Sequence, residues 1–108
     1  MEAYRAAIDL LSEAVRINPR AAVAYGFLAH GYAQLGESSH AVEAARQALA
    51  NAPSDLEVRA TVATAYVAIG MTHEASRLVE QLLSDGYSEK RLLSNVGLKT
   101  LAKGLLNN

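Results

Sequence analysis

The chain repeats itself with a period of 34 residues. Pro19 and Pro53 are 34 positions apart, 53 minus 19, and the same step separates Tyr32 from Tyr66, 66 minus 32. Further residues recur at this step: Gly36, Gly70 and Gly104; Ala7, Ala41 and Ala75; Leu28, Val62 and Val96; Ala14 and Ala48; Ser54 and Ser88. A fixed period of this length is typical of repeat architectures, in which each unit stacks on the next.

Within one unit the apolar residues follow helical spacing. Tyr25, Leu28, Ala29 and Tyr32 are three or four positions apart, so they share one face of a first helix. Gly36 is predicted to end that helix because glycine adopts the left-handed conformation without a Cβ clash. The second helix is predicted to bury Ala41, Val42, Ala45, Ala48 and Leu49. Each unit is therefore expected to be an antiparallel helical hairpin.

Capping residues predict where the helices begin. Ser38 or Ser39 is expected to cap the third helix, Ser54 and Glu57 form a candidate capping box for the fourth, and Ser88 is expected to cap the last. No segment has the pattern of a strand. The predicted helices lie near residues 2–17, 21–35, 39–51, 55–69, 73–84 and 89–103.

One combination of residues resembles the signature of the tetratricopeptide repeat (TPR) family: Tyr25, Leu28, Ala29, Tyr32, Gly36, Ala41, Ala45, Ala48 and Pro53. The resemblance implies an all-α fold, an α-solenoid of antiparallel hairpins with about six helices in a single domain, and a fragment of a larger bacterial member. It implies these units: 1–21 as the second half of a repeat, 22–55 and 56–89 as repeats, and 90–108 as the first helix of a further repeat or a capping helix.

Some positions depart from the family pattern. Ala29 stands where the family usually has glycine, Ala45 where it has an aromatic residue, and Tyr87 where a third proline would recur. Arg59 occupies the position of Tyr25 in the preceding unit. Its stem is expected to pack while its guanidinium extends outward to water.

The resemblance also implies a function, that of a scaffold or adaptor that binds a peptide or a helix of a partner protein in its concave groove. The residues that it places in the groove are Val23, Gly26, Phe27, His30, Ala33, Gln34, Glu57, Ala60, Thr61, Thr64, Arg91, Ser94, Asn95 and Leu98. Phe27 and Leu98 are the expected anchors. Co-chaperone members hold a terminal carboxylate with lysine and asparagine, but Gly26, His30 and Thr61 stand at those positions, so that clamp is not expected.

Self-association through the terminal helices is the alternative function, with a homodimer as its product. If the first helix has no upstream neighbour, its apolar stripe loses one covering surface, and the last helix is apolar on more than one face. The candidate residues are Tyr4, Ile8, Leu11, Val15, Leu105 and Leu106.

Gly26 and Gly31 lie inside a predicted helix, where each costs about 1 kcal/mol relative to alanine. Close helix packing and close approach of a ligand both explain this choice. His30 is expected to face the groove and to contact a partner, without acting as a base. His40 and His73 lie apart near the starts of second helices, so no metal site is predicted, because metal sites require convergent ligands.

Other function classes find no support in the sequence. The formal net charge of −1 does not favour nucleic acid, and pentatricopeptide repeats, which have a similar hairpin, need a basic surface to read RNA. No phosphate loop, nucleophile elbow or zinc-helix motif occurs, so neither an enzyme nor a cofactor is expected. No apolar run approaches the roughly 20 residues of a membrane span, so direct insertion is not expected.

The localisation is left open by the sequence. The chain has no cysteine, which is compatible with the cytosol and the periplasm alike. We expect a cytoplasmic protein, or a periplasmic one if the chain is part of a larger exported protein.

Overall fold

Helices form nearly all of the regular structure in this computed structural model, which describes residues 2–107. Within that range there are seven helices and no strand: α1 (Glu2–Ile17), α2 (Ala22–Gln34), α3 (Ser38–Asn51), α4 (Leu56–Ala68), α5 (Thr72–Ser84), α6 (Glu89–Ser94) and α7 (Lys99–Leu106). The predicted all-α class is confirmed. Five of the six predicted helices match α1 to α5 within one residue at each end.

Glycines end the first helix of each hairpin, as predicted. Gly36 follows α2 with φ 76°, and Gly70 follows α4 with φ 83°. Beyond each glycine an amide returns to the helix, from Glu37 N to Tyr32 O at 2.9 Å and from Met71 N to Tyr66 O at 2.8 Å. These bonds satisfy carbonyls that the helix end would otherwise leave unpaired, and they reverse the chain into α3 and α5.

The helices pack as neighbouring layers around a core rich in alanine. α2 contacts α1, α3 and α4, and α4 contacts α3 and α5. Ala29, Ala45 and Ala63 are fully buried, so the helix backbones approach closely, and the larger Val62 and Leu82 fill the remaining space. This packing places α2 next to α4, with α3 against both of them and α5 against α4.

Two of the predicted caps are wrong and one is confirmed. α4 begins at Leu56, so its N-cap is Asp55, whose carboxylate accepts from Val58 N at 3.0 Å; the serine of the predicted capping box lies one residue too early. Ser38 is already helical in α3, which has no side-chain cap. Ser88 caps α6 as predicted, accepting from Arg91 N at 3.3 Å.

The predicted single helix 89–103 is also wrong, because the chain breaks between α6 and α7. Asn95 Oδ1 accepts from Gly97 N at 2.9 Å and from Leu98 N at 3.2 Å, replacing the bonds that a continuous helix would give those amides. Gly97 lies against α4, where a Cβ would be only 2.5 Å from Thr64 Cγ2. The break turns α7 onto α5 and leaves Val96 93% exposed.

Arg59 corrects another expectation, since its guanidinium does not extend into water. The residue is only 6% exposed, and its Nη2 donates to Asp85 Oδ2 at 2.7 Å and to Ser54 O at 3.3 Å. Asp85 follows α5, so the turn after that helix places a carboxylate over the arginine. The pair therefore connects the start of α4 to the turn between α5 and α6.

Candidate functional site

Side chains from α2, α4 and α6 line an open surface depression with a volume of about 510 Å³, which we call the groove. The residues recur at helical spacing, with Phe27 and His30 three apart on α2 and Arg91 and Ser94 three apart on α6. The lining residues are Phe27, His30, Glu57, Ala60, Thr61, Thr64, Tyr87, Lys90, Arg91, Ser94 and Asn95. Most of the residues predicted for the groove are therefore brought together on one surface.

The remaining predicted residues lie elsewhere. Val23 and Gly26 line a small adjoining hollow of about 100 Å³ between α2 and α4. Ala33 is buried in the core, and Leu98 is 0% exposed because the break after Asn95 turns it inward, so the expectation that they line the groove is wrong. Leu98 cannot act as an anchor for a partner. Gln34 is exposed at the end of α2 but does not line the groove.

Two lining residues were missed from the sequence, Tyr87 and Lys90. Tyr87 is almost fully buried beside α6, and the guanidinium carbon of Arg91 lies 4.7 Å from the centroid of its ring, a cation–π distance. Burial raises the pKa of Tyr87, with a further increase from the nearby Glu57 carboxylate. The spacing of Lys90 and Ser94, one helical turn apart, is the signal that could have placed Lys90 on this face.

The charged groups of the groove are concentrated at its α6 end. Arg91 Nη2 lies 2.5 Å from Glu57 Oε1, which connects α6 to α4 across the groove floor. Both side chains are more than half exposed, so the pair contributes little to stability. Lys90 has no carboxylate within ion-pair distance among residues 2–107. Among the side chains that line this end, two cations therefore face one anion, and Glu89 of α6 is exposed outside the lining.

The middle of the groove is built from small, weakly polar side chains of α4. The hydroxyls of Thr61 and Thr64 donate to Glu57 O and Ala60 O, each at 2.9 Å, so their oxygens remain available as acceptors. Asn95 Nδ2 lies 3.5 Å from Thr64 Oγ1, the outer limit of a hydrogen bond. No bulky side chain closes this part of the groove to an approaching backbone.

The structure separates the roles of the two helical glycines. A Cβ on Gly31 would lie 3.1 Å from Ile8 Cγ1, so packing of α1 on α2 explains this glycine. A Cβ on Gly26 would lie 3.5 Å from Thr61 Cγ2, which is an ordinary contact. Packing therefore does not require glycine at position 26.

A second, apolar surface adjoins the groove at its α2 end. This cleft between α1 and α2, called here the α1–α2 cleft, has a volume of about 380 Å³. It is lined by Tyr4, Ala7, Leu10, Leu11, Phe27, His30 and Gly31. Leu10 is 75% exposed and Phe27 51% exposed, and the rings of Tyr4 and His30 meet edge to face with centroids 6.2 Å apart. Phe27 and His30 line both surfaces, so cleft and groove are continuous.

The residues predicted for self-association are only partly available on the surface. Ile8 is 4% exposed, while Leu11 and Val15 are half-buried against the core, so the expectation of an exposed stripe through Ile8 is wrong. The stripe is instead the face that α1 packs on α2, and it leaves Leu10 on the adjoining face, which the sequence reasoning missed. Tyr4 is exposed, and Leu105 and Leu106 on α7 are half-buried.

The histidines do not converge. His40 stacks on Tyr32 with ring centroids 4.9 Å apart, and His73 is exposed at the start of α5. Residues 2–107 contain no group of three or more His, Cys, Asp or Glu side chains that could hold a metal ion. None of the helices in this range is both long enough and apolar enough to span a bilayer.

Fold and site together define an all-helical chain with an open groove on one side and an apolar cleft at the end of that groove. Comparison with known proteins found no matching family model, no matching curated protein and no matching solved structure. The function is therefore inferred from the geometry of these two surfaces.

Proposed function

We propose that the chain is a protein–protein interaction module of the TPR type, which binds a peptide or a helix of a partner protein in the groove and acts as a scaffold or adaptor. The observation that carries this proposal is the convergence of α2, α4 and α6 on one open groove of about 510 Å³. The 34-residue period and the matching left-handed turns at Gly36 and Gly70 support repeats at 22–55 and 56–89.

The chemistry of the groove suits a segment that is held partly through its backbone. The threonine oxygens of α4 can accept hydrogen bonds from a peptide backbone, and the Nδ2 amide of Asn95 can donate to one, because only its Oδ1 is engaged by Gly97 N and Leu98 N. Phe27 supplies apolar contact area at one end. A groove of this size and mixed polarity is consistent with micromolar affinity, about −8 kcal/mol.

A selection from a displayed random peptide library tests this proposal. Enriched peptides are resynthesised, and their affinities are measured by fluorescence anisotropy. We expect Phe27→Ala and His30→Ala to weaken binding by about tenfold each, since both side chains line the groove. Ile17→Ala is the matched control, because it removes an exposed apolar side chain of α1 that lines neither surface. Equal affinity for all four proteins would exclude this groove as the binding site.

Self-association is the second candidate, favoured by the exposed apolar side chains of Leu10 and Ile17 on α1. Sedimentation velocity across a concentration series is the test. Leu10→Glu is expected to shift a dimer towards monomer, whereas Gln47→Glu on the exposed side of α3 should leave the mass unchanged. Leu10 is the sharper position than Leu11 or Leu105, which are half-buried and whose substitution would also disturb folding. A wild-type chain that is monomeric at all concentrations would remove this candidate.

A further inference from the structure

The two ends of the continuous surface differ in chemistry. At one end the α1–α2 cleft is almost entirely apolar, with Leu10, Leu11 and Phe27 around it. At the other end α6 presents two cations, Lys90 and Arg91. A single bound segment that spans the surface would therefore meet apolar groups first and positive charge last.

The cations of α6 are arranged to receive negative charge. Lys90 is exposed and has no ion pair within residues 2–107. Arg91 is held between the Tyr87 ring, at 4.7 Å, and the Glu57 carboxylate, at 2.5 Å. Arg91 is therefore already positioned on the groove side of α6, and the N–H groups that Glu57 does not use can serve a second acceptor.

The distance between the two ends sets the spacing within a ligand. α2 packs directly on α4, and packed helices have axes about 8 to 10 Å apart. α6 is joined to α4 through the side-chain pair of Arg91 and Glu57, so a second step of about 10 Å gives about 20 Å in total. An extended chain advances about 3.3 Å per residue, so it crosses this distance in about six residues.

We propose that the groove recognises an acidic peptide that carries one bulky apolar side chain, seated in the α1–α2 cleft, and carboxylates about six residues away that face Lys90 and Arg91. This inference rests on the proposed peptide-binding function and specifies its ligand. The positive charge in excess among the groove-lining side chains, Lys90 and Arg91 against Glu57, selects the sign of the peptide, and the cleft selects the apolar side chain.

Four synthetic peptides of about ten residues provide the probes. Their termini are acetylated and amidated, so that no terminal carboxylate contributes. The first has one leucine and a run of glutamates about six residues away; the second replaces the glutamates by glutamine, the third replaces them by lysine, and the fourth replaces the leucine by serine. Binding to the full chain is measured by fluorescence anisotropy at low and at physiological salt.

We expect the acidic leucine peptide to bind about tenfold more tightly than the glutamine or serine peptide, with an affinity that falls as salt rises. Lys90→Glu should abolish the preference for glutamate over glutamine, and Leu10→Ser should reduce the preference for leucine over serine. Lys103→Glu on α7, the same charge change at an exposed residue outside the groove, should leave both preferences unchanged.

Other results would overturn the inference in distinguishable ways. If the glutamine or lysine peptide binds as tightly as the acidic one, or if Lys90→Glu keeps the acidic preference, the assigned ligand is wrong while the groove can still be a peptide site. If none of the four peptides binds, the inference is wrong too. The library selection with Phe27→Ala then decides whether the proposed function fails with it.

Discussion

Gly97→Ala tests the glycine at which an added Cβ would meet its neighbours most closely, where the turn between α6 and α7 meets α4. The new Cβ would lie 2.5 Å from Thr64 Cγ2 and 3.4 Å from Asn95 Oδ1. Thr64 cannot easily rotate away, because its side chain is β-branched and its hydroxyl donates to Ala60 O at 2.9 Å. Either that hydrogen bond breaks or the turn moves away from α4.

The expected loss of stability follows from two opposing effects. Inserting a methyl group into a packed contact costs about 1 to 3 kcal/mol. Replacing glycine by alanine returns about 0.4 to 1 kcal/mol, because it restricts the unfolded chain. The middle values of these two ranges give a net loss of about 1.3 kcal/mol, and each kcal/mol lowers the melting temperature by about 4 to 8 °C in a domain of this size.

A double-mutant cycle makes the assay specific to this contact. Thr64→Ser removes the methyl group that would clash but keeps the hydroxyl, and alone it should cost about 1 kcal/mol for one buried methyl group. Urea unfolding followed by circular dichroism gives the free energy of unfolding for all four proteins. The double mutant should be more stable than the sum of the single effects by about 1 kcal/mol. Additive effects, or a neutral Gly97→Ala, would refute the assigned contact.

Three further predictions use the same measurements. Gly26→Ala should stabilise the chain by about 0.5 to 1 kcal/mol. Gly31→Ala should stabilise it less or destabilise it, because the added Cβ would lie 3.1 Å from Ile8 Cγ1 of α1. Equal gains in stability for the two variants would contradict this. Asp85→Ala should cost about 1 to 3 kcal/mol because it leaves the buried Arg59 guanidinium without its carboxylate, while Arg59→Met should be close to neutral. A larger loss of stability in Arg59→Met than in Asp85→Ala would be evidence against the buried pair. Burial raises the pKa of Tyr66 above its ordinary 10.0. The phenol therefore ionises first in the unfolded chain, so its contribution to stability is fully present below about pH 10 and is lost as the pH rises through the pKa of the folded state. Melting temperatures from about pH 8 to about pH 11 should therefore fall less steeply for Tyr66→Phe than for the wild type.

Local signals allowed much of the fold to be predicted. Gly36 and Gly70 end their helices through backbone conformations that few other residues adopt, and that requirement is visible in the sequence. The resemblance to the TPR family, rather than a local signal, implied that Phe27, His30 and Thr64 share one surface, and all three line the groove. The glycine turns depend on interactions within a few residues, whereas the shared surface also depends on the packing of α2 on α4.

The errors arise where side-chain contacts that helical periodicity does not report determine the structure. Arg59 is buried because Asp85, 26 positions further along, meets it after α5, and no helical period reports that contact. The helix break after α6 depends on Asn95 capturing two amides and on Gly97 lying against α4. The apolar residues after Asn95 continue a helical pattern, so periodicity alone extended the helix through the break. Leu98 was assigned to the groove by the resemblance, which assumes an unbroken first helix of the repeat, and the break buries it instead.

The continuity of groove and cleft limits which variants can separate the two candidate functions. Phe27 and His30 line both surfaces, so Phe27→Ala weakens peptide binding and dimer formation alike if both occur. Leu10 lines only the cleft and Lys90 only the groove. A dimer formed through the cleft should dissociate in Leu10→Glu and persist in Lys90→Glu. If an acidic leucine peptide instead dissociates the wild-type dimer and fails to do so in Lys90→Glu, partner binding and self-association compete for one continuous surface.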